Sequence, residues 1–150
     1  MLTHQFSKSV FFPVPVEEVF LYHTCMDNIC RIVPDYISLK ILSAPCSVSL
    51  GDIIRLKAGM YGVSFLWEAE VIEYNKNVSF VDFLRHGPFA LWRHYHLFEA
   101  RDGGTLMTDR IEYRPPLCIL GEIADHLFIR NELEKIFTVR HRKAIEHFRK

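Results

Sequence analysis

The chain has 150 residues, enough for one domain with a buried core, and its formal net charge of zero gives no bulk electrostatic attraction to nucleic acid. Nearly half of it is hydrophobic (49%), with 12 Phe, 6 Tyr and 2 Trp, a supply that can line a cavity as well as fill a core. No apolar run approaches the roughly 20 residues of a membrane span, and Met1 to Lys8 lacks a signal-peptide layout. Cys25, Cys30, Cys46 and Cys118 show neither a C-x-x-C pair nor zinc-like spacing, so reduced, mostly buried thiols in a cytoplasmic protein are expected.

Phe6 to Phe12 reads as a first strand, ended by Pro13 and Pro15 because proline cannot keep donating to a ladder. Pro15 suits the first turn of a helix over Val16 to Thr24, where Val16, Val19, Phe20 and His23 form an amphipathic stripe. Asp27 is placed to cap a second short helix, about Asn28 to Ile32, which Pro34 stops. Strands follow over Tyr36–Ser43, Asp52–Met60, Val63–Glu73 and Val78–Arg85, each with apolar residues at alternate positions. If Asn75 and Lys76 turn the third and fourth of these into a hairpin, Asp82 lies beside Ala69 and faces inward between Phe80 and Leu84.

Gly87 to Tyr113 holds the most informative pattern. Two alternating runs flank Asp102-Gly103, a pair that supplies the two positive φ angles of a type I′ turn. A two-residue turn there sets His96 opposite Asp109, His94 opposite Ile111 and Trp92 opposite Tyr113. The other face pairs Arg93 with Glu112 and Tyr95 with Arg110, which suits water. From about Ile119 the period becomes helical to the C-terminus. Leu120, Ala124, Leu127, Leu133, Ile136, Phe137, Arg140, Ala144 and Phe148 follow one side. A helix of that length must pack lengthwise on the sheet, giving an α+β domain over residues 1–150. The antiparallel sheet has seven strands and curves around the helix, with two short helices between strands 1 and 2.

At this point the residues resemble a known family. Pro15 with Val19 to His23, Arg31-Ile32-Val33-Pro34, Trp67 to Glu70, and Phe80-Val81-Asp82 match in order. The block Gly87-Pro88-Phe89…Trp92-x-His94-x-His96-x-Phe98, followed by Gly104-Thr105-x-Met107-x-Asp109 and then Tyr113, carries the resemblance furthest. It is similar to the helix-grip proteins of the START/birch-pollen-allergen (SRPBCC) superfamily, in the branch of bacterial polyketide cyclase/dehydratase and lipid-transport-like proteins. Two departures are Tyr22, where Trp is usual, and Pro116-Leu117-Cys118, where a Pro-hydrophobic-Gly step is usual. The resemblance implies an internal cavity between sheet and long helix that holds an apolar ligand. Its members range from lipid and sterol carriers to aromatase/cyclases, and fold alone does not choose among them.

The expected lining is Trp67, Ala69, Phe80, Asp82, Trp92, His94, His96, Phe98, Met107, Asp109, Tyr113 and Leu127. Asp82, His94, His96 and Asp109 are the polar groups on that face, and buried carboxylates require partners. They fit a structural hydrogen-bond network, recognition of a ligand's polar end, or acid–base catalysis by a His/Asp pair, with His94, His96 and Asp109 as candidates. His94-x-His96 also presents two imidazoles on one face, but no glutamate or third histidine with compelling geometry joins them, so no metal and no cofactor are expected. There is no phosphate loop and no dinucleotide fingerprint. His23 is expected as a satisfied core or mouth histidine. The basic tail from Arg140 to Lys150 complements the helix dipole, with weak contact to an anionic membrane surface as its alternative. The expected partner is a hydrophobic small molecule (lipid, isoprenoid or polyketide-like), bound by a monomer or homodimer. A cyclase/dehydratase and a ligand-free protein-interaction domain remain the alternatives.

Overall fold

A computed structural model describes residues 2–149; Met1 and Lys150 lie outside the described residues. The order is β1 (His4–Phe12), α1 (Val16–Thr24), α2 (Met26–Arg31), β2 (Ile37–Ser43), β3 (Ile53–Met60), β4 (Val63–Asn75), β5 (Ser79–His86), β6 (Leu91–Arg101), β7 (Gly104–Arg114), α3 (Cys118–Ala124) and α4 (Arg130–Phe148). A π-helical turn, Asp125–Ile129, joins α3 to α4. One antiparallel sheet takes the strands in the order β1-β7-β6-β5-β4-β3-β2, so β2 to β7 meander and β1 closes on the last of them. This is the helix-grip architecture, with the C-terminal helix against the sheet.

The β6–β7 hairpin has the register its turn dictates. Asp102 and Gly103 both carry positive φ (50° and 76°), and His96 faces Asp109, Trp92 faces Tyr113 and Arg93 faces Glu112. The β4–β5 hairpin does not follow the simple count. Bulges at Glu68/Ala69 and Val71/Glu73 put Asp82 opposite Val71 and Ala69 opposite Leu84. Each bulge inserts an extra residue and restarts the alternation. Past the second one, Tyr74 packs on the core while Glu73 is exposed.

Three further expectations are corrected. Asp27 does not cap α2: Cys25 holds that position, and Asp27 lies in the first turn, where its charge favours the helix N-terminus. The apolar stripe expected along α3 fails, since Leu120 and Leu127 are 67% and 68% exposed. The π turn adds a residue, and each residue rotates a helix by about 100°, so the stripe of α4 does not continue back through it. What seats α3 instead is Gly121, where a Cβ would collide with the Pro116 carbonyl. Finally, no cysteine is fully buried: Cys46 and Cys118 are exposed, Cys25 and Cys30 partly so.

Candidate functional site

The two halves of the sheet treat their inner faces differently. On β6 and β7, residues at every second position are buried, and Ile111, Tyr113, Leu133 and Phe137 close a cluster between this half and α4. On β2 to β4, apolar side chains point inward and line open space. Between them lies a cavity of about 280 Å3, walled by Leu39, Ile54, Leu56, Ala58, Trp67, Ala69 and Val71 from the sheet. Met26 and Ile29 of α2, Phe128 and Ile129 of the π turn, and Leu133, Ile136 and Phe137 of α4 complete it. The wall is almost wholly apolar. Its polar members are His23, Asp82, His94 and His96, with Glu132 and Arg140 from α4.

Of the expected lining, Trp67, Ala69, Phe80, Asp82, Trp92, His94 and His96 face the cavity. Phe98 and Met107 are instead in the packed core, and Tyr113 donates its phenol to the buried Asp125 carboxylate. Leu127 points to solvent. Asp109 lies behind the wall, 1% exposed, as the hub of a histidine network.

That network is dense. His94 donates Nε2–H to Asp109 Oδ1 at 2.7 Å, and His141 of α4 donates Nε2–H to Asp109 Oδ2 at 2.6 Å. His96 donates Nε2–H to Asp82 Oδ2 at 2.7 Å and stacks between Phe80 (4.0 Å) and His94 (3.7 Å). Burial opposes the charge of Asp109, but the hydrogen bonds from His141 and His94 outweigh it and hold the carboxyl well below the usual range. Asp82 is likewise pulled down: burial works against its charge, and the His96 hydrogen bond prevails. Burial lowers His96 below its ordinary value, with His94 adding to the effect. His23 sinks to about 4 through burial, although its Nδ1–H is satisfied by the Val19 carbonyl at 2.7 Å. The result is ionised carboxylates hydrogen-bonded by imidazoles, with His23 and His96 held toward the neutral form.

One donor atom each from Asp82, His94 and His96 lies within 4.8 Å of the others, the spacing of a three-ligand metal site. The donors, however, are committed: His94 Nε2 to Asp109 and His96 Nε2 to Asp82. His96 Nδ1 is free of any partner but fully buried, 3.5 Å from Asp109 Oδ1.

Three groups at the site were not singled out by sequence. His141 and Arg140 read as part of a basic tail, yet both face inward from α4. Their signal was available: a charged residue at Arg140 interrupts the apolar stripe Leu133, Ile136, Phe137, Ala144. Glu132, 5% exposed, accepts hydrogen bonds from Tyr36 at 3.1 Å and Tyr61 at 3.0 Å. Those two rings stack at 5.3 Å, and Tyr61 meets the ring of Phe128, a residue of the cavity wall, at 6.0 Å.

No family model matches the chain, and no curated protein matches it by sequence. Solved structures do. Ginseng major latex-like protein 151 from Panax ginseng is 11% identical, with 99% of each chain covered and a TM-score of 0.73. Protein TTHA0849 from Thermus thermophilus is 15% identical, with 96% of this chain and 99% of that one covered and a TM-score of 0.74. Protein CV1439 from Chromobacterium violaceum is 9% identical over 96% of each chain, with a TM-score of 0.76. The chain therefore shares the fold of these structures, the helix-grip arrangement of a seven-stranded antiparallel sheet with a long C-terminal helix.

Proposed function

We propose that this protein binds or carries an apolar small molecule, of lipid, isoprenoid or polyketide kind, in the cavity between the sheet and the C-terminal helix. The observation that carries the proposal is the cavity itself: about 280 Å3 of apolar-walled space where a packed core is the norm. That volume sits at the lower edge of small-molecule sites, roughly 300–1,000 Å3. The helix-grip proteins that the sequence resembles include carriers of such molecules, which supports it further.

Acid–base catalysis by a His/Asp pair is the alternative, favoured by the position of Asp82, His94 and His96 on the wall. A base needs a lone pair within reach of the substrate. The unpartnered nitrogen of His96 is buried away from the cavity, and Asp109 is shielded behind the rings, so binding accounts for more of the geometry.

Ala69, buried in β4 opposite Leu84, tests the cavity directly. Ala69→Trp places an indole in the space and is expected to weaken binding of a neutral apolar reporter such as Nile red at least tenfold. Overpacking costs about 1–3 kcal/mol of stability, so the variant should remain folded. Failure of the wild-type protein to bind the reporter, with no apolar compound extractable from the purified protein, would overturn the proposal. Binding undiminished in Ala69→Trp would place the site elsewhere.

A further inference from the structure

Among the described residues, Arg140 is the charged group of the cavity wall that makes no hydrogen bond or ion pair within the protein. It projects from α4 at a point where the stripe is otherwise apolar, and it lines the cavity with Asp82, His94 and His96. Its guanidinium lies with its carbon 5.0 Å from the centroid of the Phe137 ring, so one face is occupied. The edge N–H donors of such a stacked group remain available, up to five in a fixed fork. Among the described residues no carboxylate comes within 4.0 Å of it, and no side chain or carbonyl accepts a hydrogen bond from it.

The acids nearest in charge are committed to imidazoles. Asp109 accepts from His94 on one oxygen and from His141 on the other. Asp82 accepts from His96. Burial disfavours the Arg140 charge, and Asp109 and Asp82 oppose that effect only from a distance. A cation held partly buried without a hydrogen-bonding partner is costly, and it is the kind of group a ligand's polar end satisfies. The wall it shares is otherwise mostly oily: Leu133, Ile136, Phe137, Trp67 and Leu56 are among its members. Glu132 has the opposite sign but is already taken by Tyr36 and Tyr61.

We propose that Arg140 is the head-group anchor of the cavity and that the ligand is a single-headed amphiphile whose polar end is a carboxylate. Its two oxygens match the guanidinium fork, and its apolar tail lies along β2 to β4. A primary amine at that end meets a like charge and is rejected. A methyl ester keeps the tail but loses the charge. The proposal rests on the cavity being a binding site, and it adds the chemistry of the ligand's end.

The experiment is competition against Nile red by dodecanoate, methyl dodecanoate and dodecylamine, on the full chain at constant ionic strength. The wild-type protein is expected to prefer dodecanoate to its methyl ester by roughly tenfold or more, with the amine weakest, as a charge-assisted bidentate pair implies. In Arg140→Met the acid-to-ester ratio should fall to about one; Arg140→Lys should retain part of it, since a lysine keeps the charge and loses the fork. Wild-type affinities that are equal for acid and ester, or a ratio that survives in Arg140→Met, would overturn the anchor while leaving the cavity reading intact. If neither Nile red nor any of the three compounds binds, the cavity reading fails and the anchor with it. Should Arg140→Met not fold, the wild-type ratio and Arg140→Lys still decide the question.

Discussion

The half-sheet of β5 to β7 and the half-sheet of β2 to β4 face the same long helix and solve opposite problems. The first lends Phe80, Asp82, Trp92, His94 and His96 to the cavity wall, but its polar groups are satisfied from within. Its inner polar groups are numerous, but His94, His96, Asp82 and Asp109 pair among themselves, and His141 from α4 completes the set. The second is open: Leu39, Ile54, Leu56 and Ala58 are apolar and face space. The polar residues that looked most like chemistry in the sequence are therefore largely spent on structure. The residues that looked like ordinary core are the ones a ligand would touch. A histidine or aspartate on an inner face indicates a site only when its hydrogen bonds are not already made within the protein, and by that criterion Arg140 stands out.

The largest expected effect tests the first half. Asp109→Leu leaves His94 and His141 with no acceptor, and each buried hydrogen bond to an ionised carboxylate contributes about 1.5–3 kcal/mol. Urea unfolding at pH 7 measures it. If the variant were as stable as the parent and had lost only Nile red binding, the network would belong to the ligand and the contrast between the halves would collapse.

How much of this was legible beforehand follows the same division. The β6–β7 hairpin could be registered residue by residue, because Asp102-Gly103 fixes both the turn type and the count. The β4–β5 hairpin could not. Two bulges preserve the inward positions of Ala69 and Val71 while altering what they face, and period-two alternation does not reveal a bulge between strands. The C-terminal helix was visible as one periodic stretch, but the π turn at Asp125–Ile129 has no compositional mark, so Leu127 was assigned to the wrong side. Arg140 was placed on the inward stripe but not as a site group, and His141 was missed, for a different reason. They begin a run of basic residues, and a charge run at a helix end reads as solvated surface even when its first two members turn inward. Whether the space beneath β2 to β4 is filled depends on the distance between sheet and helix, which hydrophobic patterning does not encode.

An intermediate effect concerns protons. His23, 4% exposed at the end of α1, takes up a proton only near pH 4, whereas an unfolded imidazole does so near its ordinary 6.5. Between those values the unfolded chain binds more protons than the folded one, so stability falls as pH drops from 6.5 toward 4. By pH 5 the loss from this group alone is about 2 kcal/mol. His96, lowered in the same direction, adds to the slope. Asp109 acts in a separate window: its folded carboxyl lies well below the ordinary 3.8, so its contribution persists above that value and disappears only in stronger acid. His23→Leu should flatten the dependence of unfolding free energy between pH 6.5 and 4 by about one proton. An unchanged slope would assign it to other groups.

The smallest effect probes the border where the open half meets solvent. Tyr61 sits at the β3–β4 turn with φ of 52°, 58% exposed, and its hydroxyl reaches across to Glu132. Tyr36 does the same from the start of β2. Tyr61→Phe keeps the ring stacked on Tyr36 and deletes one hydrogen bond to a carboxylate that still has Tyr36, with Lys135 at 3.5 Å. One such bond contributes about 1 kcal/mol net, and Tyr36 and Lys135 keep Glu132 partnered, so the unfolding midpoint should move little. Exchange should move more. If the Tyr36–Tyr61–Glu132 contact must open for a ligand to leave, a latch weakened by that amount speeds release of Nile red several-fold with the equilibrium affinity nearly unchanged. Stopped-flow displacement separates the two quantities. An unaltered release rate would mean that the cavity opens elsewhere along its rim, and that Tyr36 and Tyr61 serve only to cover Glu132.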